Sequence, residues 1–359
     1  MHVASSHNGH REAPVPVLAA GDRFVLPGAL AAALRAELGD AVAVRELTGP
    51  WPIVPFGPVA EVDEASDTED ELIAALAGVE VAITQMGPFT ERVLAAAPEL
   101  RLVVVARGGP VNVNLAAATA RGVAVCSTPG RNAPAAAELA LTLAFAALRR
   151  LGEVHETMRA GAWRSDLYAY DVCGGELDGA EVGVVGFGAI GRRVALVLRA
   201  LGARVLVHDP FADPATLPEG AELVTLDELL SRSALVTLHA RLTEETRGMI
   251  GSAELARMPR GAVLVNTARG ALVDNEALAL SLQSGHLGGA GLDVFEPEPL
   301  PAAHPLRTAP NVVMTPHLGG ATRATADRAV AMAAAETARW VRGERLSWVV
   351  NPEALEAAR

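Results

Sequence analysis

Residues 181–201 read EVGVVGFGAIGRRVALVLRAL, and this stretch decides the fold. EVGVV has the run of a short buried strand, and AIGRRVALVLRAL has the periodicity of a helix. Between them Gly186, Gly188 and Gly191 stand in the spacing G-x-G-x-x-G. In that context the first glycine permits a tight turn, the second lets backbone approach a pyrophosphate, and the third lets helix pack on strand. The helix N-terminus then offers free N–H groups and a partial positive charge to phosphate. The next strand ends at His208-Asp209, 18 residues beyond Gly191. A carboxylate there can accept both ribose hydroxyls of an adenosine and would repel a 2′-phosphate. No arginine lies between Arg204 and Arg232 to offset it, so NAD is favoured over NADP.

Outward from this unit, short hydrophobic runs alternate with helical stretches along nearly the whole chain. ARVLVHDP, ALVTLHA, GAVLVNTA, GAGLDVF and NVVMTPH follow the glycine segment, and VAVREL, VEVAIT, RLVVVA and VAVCS precede it. Runs apolar at consecutive positions suit parallel strands buried on both faces, and the alternation predicts an α/β fold. Pro134 opens AAAELALTLAFAALRR, a helix of about four turns that is apolar on most sides. Such a helix needs cover from another layer or subunit, so a homodimer is expected.

Composition excludes several classes. The 359 residues are 50% hydrophobic and 20% charged, as in a globular protein. The net charge of -12 argues against an electrostatic grip on nucleic acid or anionic lipid. All 30 basic residues are arginine, so Schiff-base chemistry and a phosphate-loop lysine are ruled out. No apolar run reaches the roughly 20 residues of a membrane span. Cys126 and Cys173, 47 positions apart, have no metal or redox spacing and read as unpaired cysteines of a cytoplasmic protein. The N-terminal MHVASSHNGHREAP reads as a solvated tail rather than a secretory signal or a metal site, despite His2, His7 and His10.

In open parallel sheets ligands bind beyond the carboxyl ends of the strands. After Asp209 those ends carry His239, Arg269, Asp293 with Glu298 just beyond, and His317. Hydride exchange at a carbonyl carbon needs a proton donor near neutral pH, which histidine supplies. It also needs a group that holds and polarises a 2-oxo acid, which arginine does bidentately. A carboxylate beside the histidine would stabilise its imidazolium. His317, Arg269 and Glu298 fill these three roles.

Here the sequence resembles the D-isomer-specific 2-hydroxyacid dehydrogenase family, in GVVGFGAIGRRVA, LVNTARGALVDNEAL, GAGLDVFEPEP and VVMTPHLGG, from about Val15 to Asn351. The resemblance implies a phosphoglycerate dehydrogenase-like short form, without a regulatory domain, that interconverts a small D-2-hydroxy acid and its 2-oxo acid with NAD. It implies two Rossmann-like domains with a cleft between them. A flavodoxin-like substrate domain (1–128 and 317–359) would be interrupted by the NAD-binding domain (129–316). It places Arg269 on the substrate, Glu298 as the acidic partner and His317 as the acid/base. Cofactor contacts fall on Ala189, Ile190, Asp209, Thr267, Ala268, Asp293, Gly319 and Gly320, with Arg269 and His317 alongside. His239 belongs to the cofactor site rather than to proton transfer. Backbone around Arg107, Gly108 and Gly109 would hold the substrate carboxylate.

The substrate side departs from the family. The segment Arg107-Gly108-Gly109-Pro110-Val111-Asn112-Val113-Asn114 is about two residues shorter than usual, with Asn114 where Asp is common. The second phosphate-holding arginine of phosphoglycerate dehydrogenases is absent from Ile83-Thr84-Gln85-Met86-Gly87-Pro88. Arg241 stands near a position that is usually proline-containing, as a new anion contact or a surface charge. The fold also serves dinucleotide-sensing corepressors and binding proteins without physiological turnover, but no peptide-recruitment motif is visible. The formate dehydrogenase branch carries glutamine where Glu298 stands.

Overall fold

The computed structural model describes residues 13–51, 57–66, 68–170 and 172–357; the tail with His2, His7 and His10 lies outside them. The chain divides into two compact units, one from Met1–Arg131 with Ala321–Arg359 and the other from Asn132–Gly320, taken over their described residues.

The first unit runs β1 (Val15–Gly21), α1 (Pro27–Leu38), β2 (Val42–Thr48), the antiparallel hairpin β3 (Gly57–Val59) and β4 (Val62–Ala65), and α2 (Glu69–Ala75). It continues with β5 (Val81–Thr84), α3 (Glu91–Ala95), β6 (Leu102–Val105), α4 (Leu115–Ala120) and β7 (Ala124–Cys126). Five strands pair in parallel in the order β2-β1-β5-β6-β7. Every residue of β5, β6 and β7 is buried, as consecutive apolar positions require when both faces are covered. Helices begin where a side-chain oxygen caps them: Thr68, Thr90 and Asn114 each accept from a first-turn N–H. Asn114 thus does the capping that an aspartate would do. The β3–β4 hairpin carries no alternation strong enough to be read from the sequence.

The second unit opens with α5 (Ala133–Leu148) and α6 (Leu151–Arg159), separated by Arg150 in the left-handed region at φ 52°. Then come β8 (Glu181–Val185), α7 (Ala189–Ala200), β9 (Arg204–His208), β10 (Glu222–Leu223), α8 (Leu226–Arg232), β11 (Leu235–Leu238), α9 (Ser252–Arg257), β12 (Val263–Asn266), α10 (Asn275–Gln283), β13 (Gly289–Leu292) and β14 (Val312–Met314). Seven strands pair in parallel in the order β10-β9-β8-β11-β12-β13-β14. The alanines of α5 let it lie close to the sheet: a Cβ on Gly291 of β13 would stand 2.8 Å from Leu143 Cβ.

The chain then returns to the first unit as α11 (Arg323–Val341) and α12 (Glu353–Ala357). Ala329, Ala333 and Ala334 of α11 join the core beside Leu30 and Leu34 of α1. The return is fastened at Asn351, whose side chain accepts from Val125 N at 2.7 Å and donates to Val123 O and Thr119 Oγ1 at 3.0 Å. The fold is α/β with two doubly wound parallel sheets. No helix among the described residues is long and apolar enough to cross a membrane.

Candidate active site

Strand register lines up one edge of the second unit. Val185 pairs with His208 and Leu238, Leu238 with Asn266, Asn266 with Leu292, and Leu292 with Met314. The residues that follow these strand ends are therefore neighbours: Gly186, Asp209, His239, Thr267, Asp293 and Thr315. Most of the residues singled out from the sequence lie on this edge or one turn beyond it.

The three glycines serve distinct ends. Gly186 has φ 91°, and a Cβ on it would lie 2.6 Å from Ala240 N, so the turn is pressed against the end of β11. A Cβ on Gly191 would lie 2.0 Å from Gly186 O, so α7 packs directly on the turn. A Cβ on Gly188 would meet nothing within 4 Å, so this glycine leaves open space where α7 begins with Ala189 and Ile190. Asp209 steadies the loop, accepting from Phe187 N at 2.7 Å and from Phe211 N at 2.9 Å. Across the sheet the Thr267 hydroxyl is buried with no hydrogen-bond partner among the described residues. An open glycine backbone at a helix start, a carboxylate at the end of β9 and an orphan hydroxyl fit a dinucleotide.

At the other end of the row, Glu298 Oε2 lies 2.8 Å from His317 Nδ1, while its Oε1 accepts from Phe295 N at 2.9 Å. The carboxylate is thus aimed by its own backbone turn, and Nε2 is the ring nitrogen left for exchange. The His317 side chain keeps 42% of its surface exposed. The hydrogen bond and charge of Glu298 raise the His317 pKa; burial and Arg269 oppose this, and Asp293 adds to it. His317 sits in the left-handed region at φ 56°, unusual for a residue with a Cβ. Asp293 holds it there: its carbonyl accepts from His317 N at 2.8 Å, and its buried carboxylate accepts from Thr315 Oγ1, Leu318 N and Gly319 N at 2.6–2.7 Å. Gly320 closes this turn against Asn132.

Arg269 lies in a turn shaped by Asn266, whose side chain donates to Arg269 O at 2.8 Å and accepts from Ala268 N at 3.0 Å. A Cβ on Gly270 would lie 2.0 Å from Phe295 C, so this turn packs on the segment that carries Glu298. The Arg269 side chain is exposed and makes no ion pair among the described residues.

The remaining sequence candidates separate clearly. His239 bonds Thr237 Oγ1 at 3.0 Å, and burial pushes its pKa down to about 4, so it stays neutral near pH 7. His208 bonds Val224 O at 3.2 Å. Tyr168 and Tyr170 are almost fully exposed, and Arg241 is exposed. Cys126 is buried, Cys173 is exposed, and both are free. In the other unit Gly108 and Gly109 stand in open space, and Arg107 pairs with the Glu64 carboxylate. Sequence reading missed three things: the Asp293 clamp on the His317 turn, the shaping role of Asn266, and Glu64 as partner of Arg107. Only Asp293 and Asn266 had a local signal, each standing at the end of a strand.

A family model described as "D-isomer specific 2-hydroxyacid dehydrogenase, NAD binding domain" matches residues 141–319. A D-3-phosphoglycerate dehydrogenase of Mycobacterium leprae is 40% identical over 302 residues, covering 84% of this chain and 53% of that protein. This chain thus spans about half the length of that relative. A glyoxylate reductase of Korarchaeum cryptofilum is 38% identical over 296 residues, covering 82% of this chain and 89% of its own. The solved structure of the TT0316 protein from Thermus thermophilus superposes with a TM-score of 0.77 at 36% identity, over 94% of this chain and 100% of that one.

Replacing Glu298 by Gln keeps the size of the side chain but removes the charge that favours the imidazolium. The His317 pKa is expected to fall, read by NMR titration of the ring protons in wild type and Glu298→Gln. An unchanged titration would remove Glu298 from the partner role.

Proposed function

The chain belongs to the D-isomer specific 2-hydroxyacid dehydrogenase family, and on that premise we propose that it is an NAD-dependent oxidoreductase that interconverts a small D-2-hydroxy acid and its 2-oxo acid. The observation that carries this reading is the Glu298–His317 pair beside an unpaired Arg269, on the strand edge that bears the glycine loop. Gly186, Gly188, Ala189, Ile190, Gly191, Asp209, Thr267 and Ala268 would hold the cofactor, with Asp293, Gly319 and Gly320 at its far end. Bound NADH supplies the hydride to the 2-oxo carbon.

The protein's own groups do the rest. Arg269 binds the substrate carboxylate and carbonyl oxygen, drawing electron density toward that oxygen. Protonated His317 gives its Nε2 proton to the developing alkoxide, and Glu298 keeps the imidazolium charged and aimed. In the reverse direction neutral His317 takes the hydroxyl proton. Reduction therefore needs the protonated ring, and it declines as pH rises through the His317 pKa. Because Glu298 raises that pKa, the decline comes at higher pH than it would without the carboxylate. The backbone around Arg107, Gly108 and Gly109 binds the acid group of the substrate, while the Arg107 side chain is held by Glu64. The substrate domain is the unit formed by the N-terminal part and the C-terminal return.

Exposed Phe145, Leu151, Met158, Leu196 and Val197 on α5 to α7, with Leu201 just after α7, support a homodimer. Two free cysteines support a cytoplasmic location.

Three measurements test this reading. With NADH and a panel of 2-oxo acids, His317→Ala is expected to lose about 10²–10⁴-fold in kcat. Near-normal turnover by that variant would sink the mechanism. Wild type is expected to prefer NADH to NADPH, and Asp209→Ser to weaken NADH binding, followed by its fluorescence, while narrowing that gap. Equal use of both cofactors by wild type would overturn the role of Asp209. Sedimentation at micromolar concentration is expected to give about twice the chain mass of 37.1 kDa; a monomer would count against the dimer.

A further inference from the structure

The first unit has a ligand-shaped deficit of its own. Its strand order reverses between β1 and β5, and doubly wound sheets bind ligands beyond the carboxyl ends at such a point. Asp22 follows β1, Gln85 follows β5, Arg107 lies just past β6, and Arg131 comes from the segment after β7. Asp22 is buried; its Oδ1 accepts from Phe24 N at 2.7 Å and Val25 N at 2.9 Å, while Oδ2 has no partner. Gln85 is buried with Oε1 unpartnered, and for both side chains this holds among the described residues.

Arg131 is the most unusual member. Its Nε and Nη1 are buried without an acceptor among the described residues, and its guanidinium carbon lies 5.8 Å from the Phe24 ring centroid. Only its backbone is tied down, the carbonyl accepting from Arg328 Nε at 2.7 Å. Burial lowers the Arg131 pKa to about 10, and the nearby Arg107 charge pushes the same way against Asp22. The Asp22 charge acts on this guanidinium, and burial raises the Asp22 pKa toward the neutral acid. Arg107 differs, since the Glu64 carboxylate and carbonyl occupy it. Two buried guanidinium nitrogens without acceptors are costly, and an oxyanion is the partner that these planar donors match.

We infer that Arg131 receives a second anionic group on the substrate, a carboxylate or a phosphate, so that the protein selects 2-hydroxy and 2-oxo acids with two acid groups. This rests on the 2-hydroxyacid reading and supplies the substrate class which that reading leaves open. It also provides an arginine for the distal anion that Ile83 to Pro88 lacks.

The test compares wild type, Arg131→Met and Arg131→Lys, with NADH consumed on glyoxylate and pyruvate against oxaloacetate, 2-oxoglutarate and 3-phosphohydroxypyruvate. In wild type at least one acid with two anionic groups is expected to outrun the acids with one. The ratio of kcat/KM between the two groups is expected to fall about 10²-fold in Arg131→Met, and less in Arg131→Lys. Thermal unfolding supplies a second readout. Without ligand, Arg131→Met is expected to melt no lower than wild type, because it removes an unpartnered buried charge. The preferred diacid is expected to raise the wild-type Tm and not that of Arg131→Met.

An unchanged selectivity ratio, or a fall in the ligand-free Tm, would overturn the inference. Stabilisation by inorganic phosphate alone, with selectivity unchanged, would assign Arg131 to a free anion and overturn the substrate role. If wild type reduces no 2-oxo acid, the 2-hydroxyacid reading fails. The melting of Arg131→Met with and without the diacids then still decides Arg131: a diacid shift confined to wild type supports it, and none overturns it.

Discussion

The buried carboxylate of Asp293 is the constraint on which the Glu298–His317 end of the NAD-binding unit depends. It stands directly after β13 and gathers Thr315 Oγ1, Leu318 N and Gly319 N, while its own carbonyl takes His317 N. Those bonds hold a histidine at φ 56°, where a Cβ is disfavoured and a free chain would spend little time. With the backbone fixed there, Nδ1 meets Glu298 at 2.8 Å. The pKa of His317 therefore depends on a hydrogen-bonded turn as well as on the carboxylate that touches it.

That clamp works only because the strands arrive in register. Parallel pairing sets Leu292 beside both Asn266 and Met314, so Asp293, Thr267 and Thr315 emerge together. Glycines then bring the turns into contact. Gly270 allows the Arg269 turn to press on Phe295, and Gly186 allows the glycine loop to press on His239 and Ala240. An alanine at either position would force the backbone apart and move the groups beyond it. In this unit, close backbone packing and side-chain chemistry are parts of one design.

Much of this was legible because each functional group of the second unit lies within a few residues of a strand end. EVGVVGFGAIG, NTARG, FEPEP and TPH could be read locally, since register turns sequence order into spatial order. The Asp293 clamp was harder to read. A buried aspartate at a strand end looks the same in sequence whether it faces a ligand or its own backbone. The Glu64–Arg107 pair spans 43 positions and depends on the β3–β4 hairpin, whose short strands carry no clear alternation. The break between α5 and α6 was equally silent, because Arg150 gives no warning of a left-handed backbone.

The chain has no lysine, so residue type cannot separate one cation from another and environment must do so. Arg232 pairs with Glu181 at 2.8 Å and Glu222 at 3.1 Å, and its charge is spent on the surface of its own unit. Arg107 is occupied in the same way by Glu64. Arg269 has no ion pair among the described residues but lies in the open, where solvent can satisfy it. Arg131 combines what the others keep apart: two nitrogens withdrawn from solvent with no acceptor for them among the described residues. A surface arginine can be left unpaired at little expense, whereas a buried one destabilises the fold that carries it. The fold tolerates that burden at the switch point of a doubly wound sheet, where a ligand can relieve it. Burial without a partner therefore distinguishes Arg131 from the other arginines as a receptor for an anion.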